Sequence, residues 1–114
     1  MQRQTKLYLT DIKESIQKIE TYTKGIDFKQ FRDNEIIADA VVRNLEIIGE
    51  AVKKIPTPDK NKNPEIEWKK IAGLRDILIH EYFGIDATIL WDIIKTKINE
   101  LKITINKMLK ETEK

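Results

Sequence analysis

The apolar residues of this chain recur every three to four positions almost from end to end, and no stretch alternates with a period of two. That spacing puts apolar side chains on one face of a helix, so the pattern predicts an all-α fold without a sheet. Leu7, Tyr8, Ile12, Ser15, Ile16, Ile19 and Tyr22 make one stripe over 7–23, which Gly25 stops. FKQF, 28–31, reads as a connection of one helical turn. A second helix covers 34–55, with Ile37, Ala40, Val41, Asn44, Leu45, Ile48, Ala51, Val52 and Ile55 on its inner face. Pro56 and Pro58 end it, and PTPDKNKNP, 56–64, reads as a polar loop. A third helix starts near Pro64 or Glu65, carries Trp68, Ile71, Leu74, Ile77 and Leu78, and ends by Gly84. Asp86 caps a fourth, with Leu90, Trp91, Ile94, Ile98, Leu101, Ile105 and Met108 on one side. Four amphipathic helices with short connections predict an antiparallel bundle of four to five helices, in one domain over 1–114.

Composition removes several function classes. Twenty-one basic against 19 acidic residues leave a net charge of +2. That is not the charge of a dedicated nucleic-acid binder, although a local patch remains open. With no cysteine, disulfides, thiol nucleophiles and zinc–thiolate sites are excluded. No dedicated metal cluster is evident, so neither a metal nor a cofactor is expected. No run approaches the ~20 apolar residues of a membrane span, and MQRQTKLYLTDIKESI does not read as a secretory leader. A cytoplasmic location is the expectation.

One stretch stands out chemically: RDILIHEYF, 75–83, which holds the single histidine. At about 100° per residue, Arg75 and Tyr82 are nearly aligned, whereas His80 sits about 140° round from Arg75. Asp76 and His80 share a face. Arg75 and His80 would converge only if the long arginine reached over or the helix ended near His80. Spacing alone favours the plainer reading: a histidine in dipole contact near a helix C-terminus, a surface arginine and a core tyrosine.

The same nine residues resemble the Arg, four residues, His, one residue, Tyr signature of HEPN ribonucleases, and more narrowly of HepT-type (DUF86) toxins. RNLEIIGEAVKKIP, 43–56, is similar to the second-helix segment of that family, and WKKIAGLRDILIHEYFGID, 68–86, to its third helix and exit. YLTDIKESIQKIETYTKG, 8–25, fits its first helix. The resemblance implies a HEPN-like fold and a metal-independent endoribonuclease acting as the toxin of a toxin–antitoxin pair. Arg75 and His80 would be the catalytic pair, with Asp76 as the supporting polar residue. Tyr82 would be the residue to which a nucleotidyltransferase antitoxin attaches AMP. The implied substrate is RNA (mRNA or tRNA) rather than DNA, and the implied assembly is a homodimer. A non-catalytic HEPN-type module that binds RNA or a nucleotide, or only assembles with a partner, is the alternative.

The chemistry is coherent. A neutral imidazole at His80 would take the proton of a 2′-hydroxyl. The freed oxygen attacks phosphorus and leaves a 2′,3′-cyclic phosphate, while a guanidinium at Arg75 binds the charged oxygens. One histidine per chain makes a shared twofold cleft useful for supplying an acid as well as a base, although water or Tyr82 could be the acid. Elsewhere, Asn44 reads as a hydrogen-bonded core amide. Asp39, Arg43, Glu46 and Glu50 read as an intrahelical charge network, in which Arg43 could hold RNA or Glu50 orient a site residue. Trp68 and Trp91 read as packing anchors, and Lys60 and Lys62 as solvated. Lys53, Lys54, Lys69 and Lys70 would form a phosphate patch only if the fold joined them.

Overall fold

The computed structural model describes residues 2–81 and 86–112, the last three residues of the first stretch by backbone alone. Among them the fold is all-α. Helices α1 (Arg3–Thr23), α3 (Glu35–Lys54), α5 (Trp68–Glu81) and α7 (Ile98–Thr112) form the bundle, joined by one- to two-turn helices α2 (Phe28–Arg32), α4 (Thr57–Asn61) and α6 (Ala87–Asp92). No described helix is long and apolar enough to cross a membrane.

Local chemistry sets the ends. Gly25 adopts φ +75°, the left-handed stop expected after α1. Asp27 and Gln30 form a reciprocal capping box on α2. Asn34 accepts from the Ile37 N–H at the start of α3, and Asp86 from the Thr88 N–H at the start of α6. Gly84, the expected terminator of the third helix, lies outside the described residues.

α1 packs between α3 and α7, and α3 between α1 and α5. Glu20 of α1 meets Lys102 of α7, and Lys13 lines the same groove as Lys110, so these two helices run antiparallel. At one end of the bundle the Trp91 ring lies 5.2 Å from that of buried Phe31 and 6.2 Å from that of Phe28.

Four expectations need correction. The inner face of α1 is Thr5, Leu9, Ile12, Ser15, Ile16, Ile19 and Thr23, while Leu7 and Tyr22 are 57% and 37% exposed. Leu7 stands two residues from Leu9, about 200° round the helix, so only one of them can face the core. On α5, Ile77 is 48% exposed and Leu78 takes the buried position. The proline-rich loop contains the helical turn α4, and the following helix begins only at Trp68. Trp68 ties that start back to the end of α4: its indole N–H reaches the carbonyls of Lys60 (3.1 Å) and Asn63 (3.0 Å). Finally, the fourth helix is not one α-helix. Ile93–Lys97 is a π-turn, in which the Ile98 N–H bonds the Ile93 carbonyl. Leu90, Ile94 and Ile98 are spaced by four, twice running, and a wider turn keeps all three buried.

Candidate active site

The site begins with a missing side chain. Gly49 lies in the middle of α3, where a Cβ would stand 2.8 Å from the Arg75 Cβ, 3.2 Å from the Ile71 carbonyl oxygen and 3.3 Å from the Arg75 nitrogen. Only glycine lets α5 approach α3 this closely. That approach brings Arg75 alongside the next residue of α3, Glu50: Arg75 Nε stands 2.7 Å from Glu50 Oε2. On the other side of the guanidinium, Nη1 donates to Asp76 Oδ1 at 3.3 Å, and Lys53 Nζ donates to the same oxygen at 3.3 Å. Lys54 Nζ is 3.9 Å from Glu50 and 5.7 Å from the centre of the Tyr8 ring.

Of these charges, Glu50, Lys54 and Arg75 border a shallow groove of about 250 Å³, lined also by Tyr8 and Asp11 of α1 and Glu46, Ile47 and Ala51 of α3. Arg75 is 34% exposed, so it is held from behind yet reachable from solvent. The hydrogen bond and charge of Lys53, followed by the charge of Arg75, hold the Asp76 carboxyl below its ordinary value. The ionised form of Asp76 therefore supports the fold above the ordinary carboxylate range, and that support fades as pH falls through its lowered value.

Of the residues singled out by sequence, Arg75 and Asp76 meet here. His80 lies on the last turn of α5 by backbone, and Tyr82 falls outside the described residues. Glu50 takes its strongest partner across the helix interface rather than along α3. Among the described residues, Asp39 and Arg43 are exposed and join no ion pair, so the intrahelical network is not formed. The four lysines are not joined: Lys53 and Lys54 belong to this site, whereas Lys70 pairs with Glu67 at 2.7 Å. Asn44 is buried, its amide donating to the Ala40 carbonyl while Oδ1 lacks a protein partner. Lys60 is half-buried rather than solvated, and burial lowers its pKa. Trp68 and Trp91 both pack inside the fold, as anchors. Sequence reasoning missed the spacer role of Gly49, and with it Tyr8 and Asp11. A lone glycine inside a helical stripe was the available signal.

A family model described as ribonuclease HepT-like matches residues 12–108. A protein of Thermococcus cleftensis named probable ribonuclease HepT is 46% identical over 110 residues, 96% of this chain and 100% of its own. A Methanocaldococcus jannaschii protein with a provisional RNase name is 45% identical over 111 residues, 97% of this chain and 92% of its own. A third, provisionally named RNase, from Caldanaerobacter subterraneus subsp. tengcongensis, is 41% identical over 104 residues, 91% and 93% of the two chains. No solved structure matches.

Proposed function

This chain belongs to the ribonuclease HepT-like family, and on that premise we propose that it is a metal-independent endoribonuclease of the toxin type. Arg75 binds the scissile phosphate and His80 transfers a proton. The 2′-oxygen of the ribose loses its proton and bonds to phosphorus. The bond to the 5′-oxygen breaks and that oxygen is protonated, leaving a 2′,3′-cyclic phosphate and a 5′-hydroxyl.

What supports this reading is Arg75: a part-exposed guanidinium, braced at 2.7 Å by Glu50, opening on a groove and on the same helix as the single histidine. A planar guanidinium can bind two phosphate oxygens at once and stabilise the charge that builds on them. The protein works as a homodimer in one domain per chain. A nucleotidyltransferase antitoxin silences it by attaching AMP to Tyr82, seven positions from Arg75, which adds a phosphate charge and a bulky nucleoside. Peptide mass spectrometry after incubation with such a partner and ATP tests the modification, and AMP on another residue overturns it.

Cleavage itself is tested with a labelled RNA. His80→Ala and Arg75→Ala should each slow cutting by about 100-fold or more while the helical circular dichroism is kept, and EDTA should not inhibit. A His80→Ala protein that cuts at the wild-type rate rejects the assignment. RNA retention without cutting by the wild type would favour a binding module instead.

A further inference from the structure

We propose that Glu50 is a catalytic residue: its carboxylate takes the 2′-hydroxyl proton, and His80 gives a proton to the departing 5′-oxygen. This rests on the ribonuclease reading above and supplies it with a second proton-transferring group. Two protons must move, one off the 2′-oxygen and one onto the 5′-oxygen. Each chain offers one imidazole and no thiol. Two carboxylates stand beside the phosphate-binding guanidinium: Asp76, which Lys53 also holds, and Glu50, with Oε2 at 2.7 Å from Arg75 Nε, which alone of the two lines the groove.

Attack requires the 2′-oxygen within about 3–3.5 Å of phosphorus. A phosphate held by Arg75 therefore carries its attacking oxygen into the neighbourhood of the Glu50 carboxylate. Glu50 is 44% exposed and borders the groove, so RNA can reach it. The groups around it are Tyr8 and Asp11 from α1, Glu46 and Lys54 from α3, and Arg75 from α5. A carboxylate paired with a guanidinium accepts hydrogen bonds and does not donate them. That makes Glu50 the base and leaves the acid role to the imidazolium of His80. The step balances: Glu50 becomes a carboxylic acid, the 2′-oxygen–phosphorus bond forms, the phosphorus–5′-oxygen bond breaks, and His80 becomes neutral. Exchange with water resets both groups.

The test compares Glu50→Gln, Glu50→Asp and His80→Ala on RNA and on uridine 3′-(p-nitrophenyl phosphate), whose leaving group needs no acid. Glu50→Gln should lose about 100-fold or more in kcat on both substrates, with KM nearly unchanged and the acidic limb of the pH–rate profile gone. Glu50→Asp should recover part of the rate and keep that limb. His80→Ala should be slow on RNA and close to wild type on the nitrophenyl ester. If Glu50→Gln changes only KM and keeps the limb, Glu50 merely positions Arg75 and the proposal is overturned. If Glu50→Gln is rescued by the nitrophenyl ester and His80→Ala is not, the roles are reversed and the proposal also falls. Should Glu50→Gln fail to fold, His80→Ala on the ester still decides: a rate as low as on RNA overturns the acid assignment. Wild-type protein that cleaves neither substrate defeats the ribonuclease reading itself, whereas equal cleavage by wild type and Glu50→Gln defeats only this inference.

Discussion

Gly49 and Gly73 face opposite circumstances on two touching helices, and their substitution separates space from propensity. A methyl at Gly49 would meet the Arg75 Cβ and the α5 backbone at 2.8–3.3 Å. These atoms cannot swing aside as a flexible side-chain tip can, so the helices must part. Overpacking of this kind costs about 1–3 kcal/mol, against roughly 1 kcal/mol gained by replacing glycine in a helix. Gly73 has nothing within 4 Å of the position of an added Cβ. Gly49→Ala should therefore lower the urea midpoint and slow RNA cleavage, because Arg75 shifts from Glu50. Gly73→Ala should raise the midpoint, by up to about 1 kcal/mol of stability. A stabilised, fully active Gly49→Ala would show that the close approach does not matter.

The long helices are legible in the sequence because their apolar faces recur over many turns, so one misplaced residue such as Leu7 does not hide the element. What escapes is set by contacts that the periodic pattern does not encode. Ahead of the third helix the Trp68 indole reaches back to the carbonyls of Lys60 and Asn63, and the four-by-four spacing of Leu90, Ile94 and Ile98 asks for a turn wider than an α-helix. The candidate site divides similarly. Arg75 and Asp76 are adjacent in sequence, whereas the Glu50 pairing and the role of Gly49 depend on which helix α5 lies against. Trp68 also yields a prediction for the α4–α5 connection. Trp68→Phe keeps an aromatic ring but removes the N–H that reaches two carbonyls. Both carbonyls keep a backbone donor, the N–H of Asn63 and of Ile66, so losing the indole bond should cost about 1 kcal/mol, read as a lower denaturation midpoint and faster amide exchange in 57–67.

At the scale of the molecule, 44 × 29 × 21 Å, α1, α3 and α5 each contribute to one groove, and Arg75 and Glu50 pair within one chain. Mixtures of Arg75→Ala and Glu50→Gln subunits, exchanged to equilibrium, should thus stay inactive in whatever assembly they form. Recovered cleavage would mean that the carboxylate comes from the partner subunit. The outer helices carry a different consequence. α1 is covered on one side by α3 and on the other by α7, and its Glu20 meets Lys102, 82 positions away. Closing that long a loop carries an entropic cost, and its reward arrives only when α7 is present. On the ribosome, then, α1 and α3 can pair while α5 is still being made, but Ile16 waits for Ile105 and Leu109. A growing chain thus carries all the helices of its groove before the last helix has emerged to cover the far side of α1.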